Sequence, residues 1–539
     1  MELSPSYDRL VEGDREQKLA LVLDIDEETL RGVELPTLLA SGSRLFAGNG
    51  QAARDDPAGT YALSKPVTHL SYFISHSWRT SRLIKHAALC VHFNLKRAAI
   101  ASAALNFVLF TYLTFNIGSL PPNTPKVTES PGLADGAPSR MAGWCELLAP
   151  TVFIVVLLFG HHLFDDGTFF LDICCISQED EAQKQAGISS LGAILDRSER
   201  MLVLCDGEYF SRLWCLFELS AFSKRAGASR IDFVPLHVPL RIFGWAVCFV
   251  LFYYSMQSTF PLIVASGTLD AFDAATIALL FPFLTALWMS LGLPFVLVAE
   301  LEACRIREAC AALRSFRLPD AQCFSHDDRT AILTLISKWW SDGEVAAAAA
   351  TAAASTGSGS ANDARRRHQQ EALGTHRFEQ FVRQELAPQL AGVAGRDWTV
   401  GSLAAMYVTG AHGWILDMIS GSRVSPHHLL VYLCWGALCW GFWLPVQFET
   451  IKWLAAVAWR QKQIGWPAPA YYALFGILSV LCLFLIFIVL YSAPVPNVLI
   501  DTTFRWPADS LSELGNQCLK FQVVLGLHML AAGVVYASK

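Results

Sequence analysis

The sequence predicts two kinds of structure in one chain, a small α/β domain with a parallel sheet and a polytopic α-helical membrane part. In the stretch 169–225, short apolar strand patterns alternate with helical patterns of about 10 to 15 residues, which is typical of βαβ units. Elsewhere, apolar residues occur in runs of about twenty, the length that spans the hydrocarbon of a bilayer. The chain is therefore expected to hold an α/β domain at a membrane.

The composition favours a membrane protein and argues against nucleic acid as a partner. Of the 539 residues, 53% are hydrophobic and 16% are charged, against about a quarter charged in soluble domains. The net charge is −6 and no Lys/Arg-rich stripe occurs, so nucleic-acid binding is not expected. The 14 cysteines include no CxxC pair and indicate small buried side chains in a reducing compartment. The polar start lacks the apolar core of a signal peptide, so a membrane segment is expected to direct the chain.

The first part of the chain is predicted to supply one strand before a membrane hairpin. Residues 1–66 are expected to form a cytosolic arm, partly disordered, with GNGQAARDDPAGT as a linker. Within 67–97, HLSYFISHSW has the pattern of a buried parallel strand that ends in a polar loop, and a helix follows. Residues 98–164 contain apolar runs at 98–118 and 146–164, predicted as an inserted transmembrane hairpin. The cytosolic side is indicated by the basic residues before the first run, Arg82, Lys85, Lys96 and Arg97.

Residues 165–238 are predicted to complete the α/β domain. GTFFLDICCI, RMLVLCD and SRIDFVPLHV have the pattern of buried strands. GISSLGAILDRS and GEYFSRLWCLFELSAFSKR have the pattern of helices between them. The strand in 69–78 would be the first of this sheet, separated from the second by the membrane hairpin, since an insertion whose ends lie close together is tolerated in a loop.

The remainder of the chain is predicted to be mostly membrane. Residues 239–299 hold the third and fourth spans, and 300–398 form a cytosolic helical region with a low-complexity linker at 345–367. Residues 399–539 are expected to form a transmembrane bundle, which gives about eight spans and cytosolic termini, or seven spans if 399–419 does not cross. Asp417 and His412 in that segment leave a channel or transporter open as an alternative function.

Four sequence pieces follow one another in an order that resembles a Toll/interleukin-receptor (TIR) domain: YFISHSW, FLDICCI, GISSLGAILDRSERMLVL and YFSRLWCLFEL. The resemblance covers about 69–78 and 168–236, and it implies a flavodoxin-like parallel sheet. The sheet would be truncated, because an apolar run follows VPLHV directly and leaves no room for the fifth strand and last helix. A TIR-like domain interrupted and followed by membrane helices is also similar to multi-pass proteins of unicellular algae.

The resemblance also implies a site. In TIR domains that cleave NAD, the glutamate of a WCxxE-type motif is catalytic, and Glu218 stands at that position, four residues after Trp214. Its carboxylate would stabilise positive charge on the ribose as nicotinamide leaves, and Trp214 would stack on the ring or support the pocket wall. Further substrate-binding positions are expected at the carboxyl end of the first strand and in the second strand, namely Ser75, His76, Ser77, Arg79 and Asp172.

Two functions in signalling or stress response stay open at this stage. The first is NAD glycohydrolase activity, with NAD as substrate and neither cofactor nor metal; the second is self-association into a homo-oligomer through the TIR-like domains, with the lipid bilayer as a further partner. Asp172 would then open the loop used in assembly. Glu218 is equally explained as an ion-pair partner of Arg212 or Arg79, and the acidic loop CISQEDEAQKQAG lacks the glycine-rich character of the enzymes.

Overall fold

The computed structural model describes residues 29–115, 144–244, 293–323, 326–341, 361–395 and 444–467, with a few single positions beyond the last range. Its contacts divide the chain into two compact units. The first unit comprises Met1–His92, His161–Val238 and Arg305–Arg396, and the second comprises Phe93–Gly160, Pro239–Cys304 and Asp397–Lys539.

The first unit is built on a six-stranded mixed sheet with the order β2-β1-β4-β3-β5-β6. Its strands are β1 (Arg31–Glu34), β2 (Lys65–Pro66), β3 (Leu70–His76), β4 (Thr168–Phe170), β5 (Ser198–Cys205) and β6 (Ile231–Pro235). Strands β4, β3, β5 and β6 are parallel to one another, whereas β1 is antiparallel to both β4 and β2. The α/β class predicted from the sequence is confirmed, and the prediction of a purely parallel sheet is corrected to a mixed one.

The central strands form where apolar residues follow one another without alternation. In β5, Met201, Leu202, Val203 and Leu204 are all buried, as expected of a strand covered on both faces. Rings also stack between β3 and β4, where Tyr72 lies 5.1 Å from Phe169 and Phe73 lies 5.0 Å from Phe170 between ring centroids. Because Ser75 pairs in register with Val203, the ends of β3 and β5 lie side by side.

The described part of the segment before β3 contributes strands and short helices to the first unit. Residues 29–66 contribute β1, β2 and three short helices, α1 (Leu35–Ser43), α2 (Gln51–Asp55) and α3 (Pro57–Ala62). The predicted linker GNGQAARDDPAGT therefore contains α2 and the first four residues of α3. The physical signal was present, because the Asp56 carboxylate accepts a hydrogen bond from the Gly59 amide at 2.9 Å and proline occupies the first turn, a typical helix start.

The second parallel strand is shorter than predicted. It ends at Phe170, and Asp172–Cys175 form one helical turn, α6, in which the Cys175 amide donates to the Leu171 carbonyl at 2.9 Å. Asp172 therefore stands after the strand and not in it. The remaining elements of this half are α7 (Glu181–Ser189), α8 (Leu191–Asp196) and α9 (Leu213–Ala226), which carries Trp214 and Glu218.

Helices from the later part of the chain complete the first unit beside β6. They are the end of α10 (Leu293–Ala312), α11 (His326–Ser341), α12 (Ala361–Phe381), a π-helical turn at Val382–Leu386 and α13 (Ala387–Gly395). The Trp340 indole donates to the Ser220 hydroxyl of α9 at 2.9 Å, and the Gln389 amide donates to the Ile231 carbonyl of β6 at 2.8 Å. No strand follows β6 in the parts of the chain that the structure describes. The end of the predicted linker 345–367 lies in α12, and 342–360 lie outside the described residues.

The second unit is helical where it is described. Residues from 93 onward of α4 (Arg82–Phe115) pack on α5 (Trp144–Phe159), where Asn94 donates to the Leu157 carbonyl at 3.0 Å and Ser102 donates to the Ala149 carbonyl at 2.9 Å. A buried ion pair joins Arg241 to Glu300 at 2.7 Å. A further helix, α14, covers Leu444–Gln463.

Within the described residues, no helix is long and apolar enough to cross a membrane. This finding contradicts the predicted polytopic membrane class and the multi-pass localisation with cytosolic termini. Helix α5 has 16 residues, about 24 Å at 1.5 Å per residue, against a hydrocarbon thickness of about 30 Å. The apolar run in α4 continues a helix whose first half carries Lys96 and Arg97. Most of the other predicted spans, in 239–299 and 399–539, lie outside the described residues.

Candidate functional site

The candidate site lies at the carboxyl ends of β3 and β5. Ser75 and His76 end β3, Asp206 follows β5, and α9 begins seven residues after Asp206 with Leu213. In open α/β sheets, ligands bind at this edge because loops and helix starts converge there.

A buried chain of hydrogen bonds joins three of these elements. The Ser75 hydroxyl donates to Glu218 Oε2 at 2.6 Å and lies 2.6 Å from the Tyr209 hydroxyl. Ser75 and Tyr209 are fully buried, and Glu218 is 8% exposed. The structure thus brings together two residues that the resemblance assigns to one site, and it adds Tyr209, which the sequence did not single out. The sequence could have indicated Tyr209, because it begins YFSRLWCLFEL, one of the pieces that resemble a TIR domain.

Burial favours the protonated form of the Glu218 carboxyl group. Burial raises the pKa of Glu218 to about 8, and the Asp172 carboxylate acts in the same direction, whereas the Ser75 hydrogen bond and the Arg212 charge oppose the rise. The alternative to a catalytic role was an ion pair of Glu218 with Arg212 or Arg79. Neither pair is formed within the described residues. Arg79 pairs with Glu208 instead, and Arg212 donates to Ser77.

Trp214 contributes to the packing of α9. Its ring lies edge-to-face against Phe217 at 5.6 Å, and Phe217 in turn lies 5.2 Å from Trp339 of α11. The indole is 8% exposed. This arrangement agrees with the simpler interpretation of Trp-Cys-Leu-Phe as an apolar helix face.

The loop after β3 is tied to the loop after β5 by three side-chain contacts. Arg212 donates to the Ser77 hydroxyl at 3.1 Å, Arg79 contacts Glu208 at 2.5 Å, and the Thr80 hydroxyl donates to Asp206 Oδ2 at 2.5 Å. Ser77 is buried, whereas the Arg79 side chain is half exposed. Of the residues predicted for substrate binding, Arg79 therefore lies farthest from the interior.

His76 belongs to an aromatic cluster that also holds Lys85, a residue absent from the predicted site. In the sequence, Lys85 is only one of four basic residues that indicate the cytosolic side. In the structure its side chain is fully buried between the rings of Phe46 and Trp78. The signal that could have found it is its helical spacing to Ala88 and Leu89, which are also fully buried.

Burial also shifts the pKa values of the two basic groups in this cluster. It lowers the pKa of Lys85 from 10.5 to about 7, an effect that the Asp206 and Asp172 carboxylates oppose. It lowers the pKa of His76 well below its usual range, and the Lys85 charge adds to the effect. Perturbed pKa values of this kind concentrate at functional sites, although buried structural networks also produce them.

A cavity of about 550 Å³ opens beside the start of α4. Its charged and polar lining comes from Arg44, Gln51, Asp55, Ser81 and Arg82. The volume lies in the range of small-molecule sites. No group of three or more His, Cys, Asp or Glu side chains placed to hold a metal ion occurs in the part of the chain that the structure describes.

No protein-family model, no curated protein and no solved structure matches this chain.

Proposed function

We propose that the first unit is a TIR-like domain that cleaves the N-glycosidic bond of NAD, with Glu218 as its catalytic carboxylate. The observation that supports it best is the 2.6 Å contact between Ser75 and Glu218 at the carboxyl end of β3. This contact joins the first and last pieces of the sequence resemblance at the edge of the sheet where ligands bind. The order β4-β3-β5-β6 of the parallel strands also agrees with the first four strands of the flavodoxin-like order 2-1-3-4-5.

The proposed reaction begins from a neutral Glu218. The pyridinium ring of NAD is positively charged, and an opposite charge within about 4 to 6 Å lowers the pKa of a carboxyl group. Binding of NAD therefore drives the Glu218 proton off to water, whereas the free protein keeps that proton. The bond between the ribose carbon and the nicotinamide nitrogen then breaks, the carboxylate stabilises the cationic ribose, and water adds to that carbon and releases a proton. The products are nicotinamide and ADP-ribose.

Substrate access requires a movement of the loop after β3, because Glu218 is almost enclosed. The contacts Arg79–Glu208, Thr80–Asp206 and Arg212–Ser77 are the ones that such a movement has to break. The exposed Arg79–Glu208 pair opposes opening only weakly, since exposed ion pairs contribute about 0 to 1 kcal/mol. In this proposal the loop acts as the entrance to the site.

One observation favours a second candidate, a TIR-like module that acts by self-association without catalysis. Hydrogen bonds inside the fold already pair the Ser75 hydroxyl with the Tyr209 hydroxyl and with the Glu218 carboxyl group. A closed chain of this kind is also what a purely structural link between β3 and α9 requires.

The experiment that separates the two follows nicotinamide release from NAD by the purified full-length chain. We expect release by the wild type and a loss of at least about 100-fold in Glu218→Gln, since electrostatic stabilisation of a transition state is worth that much. Glu199→Gln is the matched control, because Glu199 is an exposed carboxylate near the opposite end of β5. Absence of release by the wild type at high protein concentration, together with a concentration-dependent oligomer in sedimentation, would replace the first candidate by the second.

A further inference from the structure

Two buried nitrogens without hydrogen-bond partners lie in one aromatic enclosure at the carboxyl end of β3. Lys85 Nζ and His76 Nε2 have no partner within the described residues. Phe46 and Trp78 flank both groups, with ring centroids 5.6 and 5.7 Å from Lys85 Nζ and 5.2 and 4.6 Å from the His76 ring centroid. A buried polar group left unpaired costs about 1 to 3 kcal/mol, so two of them in one place indicate a site whose partner is a ligand.

We propose that Lys85 is the nucleophile of a binding site for a small aldehyde or ketone that carries an anionic group. The amine lone pair attacks the carbonyl carbon, and the oxygen takes up a proton to give a carbinolamine. Loss of water then breaks the carbon–oxygen bond and leaves a carbon–nitrogen double bond to Lys85. His76 Nε2, which lies against the same two rings as Lys85, would exchange the proton at the carbonyl oxygen. The step needs no oxidant or reductant, and water reverses it.

The environment of Lys85 keeps its amine reactive. An imine forms only from the neutral amine, and buried lysines are the ones that lose their proton near neutral pH. The carboxylates of Asp206 and Asp172 favour the charged amine, whereas burial and the Arg212 guanidinium disfavour it. Burial has the largest effect, so the pKa of Lys85 falls to about 7.

The anionic group is inferred from the cavity beside α4. Arg82 lines this cavity and lies one helical turn before Lys85, on the same face of the helix. Ala47 also lines it and directly follows Phe46, which flanks the amine. Arg44 pairs with Asp55 at 3.4 Å, so the Arg82 guanidinium is the excess positive charge of the lining. A carboxylate or phosphate on the carbonyl compound would bind there while its carbonyl reaches Lys85.

Pyridoxal 5′-phosphate is a suitable probe, because it is an aldehyde that carries a phosphate. The full-length chain is incubated with the probe, the imine is reduced with borohydride, and the modified lysines are mapped by mass spectrometry. We expect Lys85 to be modified at a concentration at least about tenfold below that needed for Lys65, whose side chain is 78% exposed. Modification should be half-maximal near pH 7, because the pKa of Lys85 is about 7.

Matched variants test each part of the proposal. Lys85→Met should abolish the preferred modification, and Lys65→Met should leave it unchanged. Arg82→Gln should raise the probe concentration required about tenfold, and so should pyridoxal in place of pyridoxal 5′-phosphate. Arg230→Gln should leave that concentration unchanged, because Arg230 is exposed and does not line the cavity. If the most exposed lysines are modified first and Lys85 stays unmodified in a folded chain at pH 8, the imine site is overturned. Equal modification by pyridoxal and its phosphate overturns the anionic group.

Discussion

The Ser75 hydroxyl donates a hydrogen bond of 2.6 Å to the Glu218 carboxyl group, although the two residues are 143 positions apart in the chain. The contact connects the carboxyl end of β3 to α9, the helix that follows the neighbouring strand β5. The contact also opposes the effect of burial on the carboxyl group, because burial raises the pKa of Glu218 to about 8 and the Ser75 hydrogen bond acts to lower it. The stability and the chemistry of the site therefore depend on the same pair of side chains.

Removal of the Ser75 hydroxyl is expected to destabilise the first unit. Ser75→Ala leaves both the Tyr209 hydroxyl and the Glu218 carboxyl without their partner in a buried place, which costs about 1 to 3 kcal/mol. Native-state hydrogen exchange of peptides from β3 and α9 measures the loss of unfolding free energy. Ser211→Ala is the control, because Ser211 is near the surface and its hydroxyl donates only to the Glu208 carbonyl. Equal protection in Ser75→Ala and wild type would mean that the hydrogen bond does not contribute to stability.

The raised pKa of Glu218 predicts that the first unit loses stability as the pH rises. The pKa is about 8 in the folded chain against an ordinary value of 4.5. Between these values the unfolded chain releases the proton and the folded chain keeps it, so the folded state binds more protons and the free energy of unfolding falls with rising pH. We expect a fall on the order of 3 kcal/mol from about pH 5 to about pH 9, absent in Glu218→Gln.

The measurement compares hydrogen exchange of the two chains at each pH, so that the intrinsic pH dependence of exchange cancels. The difference in unfolding free energy between wild type and Glu218→Gln should change across this window and stay constant above it. A constant difference from acid to alkaline pH would show that Glu218 titrates near its ordinary value.

Lys85 should produce a pH dependence of the opposite sign. Its pKa is lowered from 10.5 to about 7, so between these values the unfolded chain holds a proton that the folded chain has lost. Stability therefore rises with pH across this range. Lys85→Met removes the buried charge and should therefore have a higher free energy of unfolding than the wild type. The difference should be largest below about pH 7, on the order of 3 kcal/mol, and should decline towards pH 10.5.

Lys65→Met is the control for this series, because Lys65 is a well exposed side chain on the edge strand β2. Its difference from wild type should stay small and independent of pH. If Lys85→Met is destabilising below pH 7, the buried amine is charged and paired in the folded protein, and the lowered pKa is excluded.

The parts of the fold that the sequence predicted are those with a strong local pattern. Strand β5 lies within a continuous apolar run, and β3 and β6 lie within mostly apolar segments. The helical spacing of Trp214 and Glu218 placed the carboxyl group on a helix. Strands β1 and β2 have four and two residues, too few to show any alternation, so residues 29–66 were assigned to an arm.

Other errors came from interactions between distant segments. Lys85 is buried by Phe46 and Trp78, and no pattern local to α4 shows that these rings cover it. The apolar runs at 98–118 and 146–164 were assigned to a membrane from their apolar composition, whereas among the described residues no helix, α4 and α5 included, is long and apolar enough to cross one. The contacts of Asn94 with the Leu157 carbonyl and of Ser102 with the Ala149 carbonyl identify the packing, and only the structure supplies them.

The close approach of α12 to α11 gives a prediction with an internal control. A Cβ added at Gly374 would lie 1.7 Å from the Ser337 backbone carbonyl oxygen, so Gly374→Ala has to push the two helices apart. Because α11 also holds α9 through the Trp340–Ser220 hydrogen bond, the loss should exceed about 2 kcal/mol and extend to the peptides of α9. Gly392→Ala in α13 meets nothing within 4 Å and should instead gain about 0.5 to 1 kcal/mol from helix propensity. Hydrogen exchange of α9 and α11 in both variants tests this contrast. Equal protection in the two would show that α11 and α12 are not in close contact at Gly374.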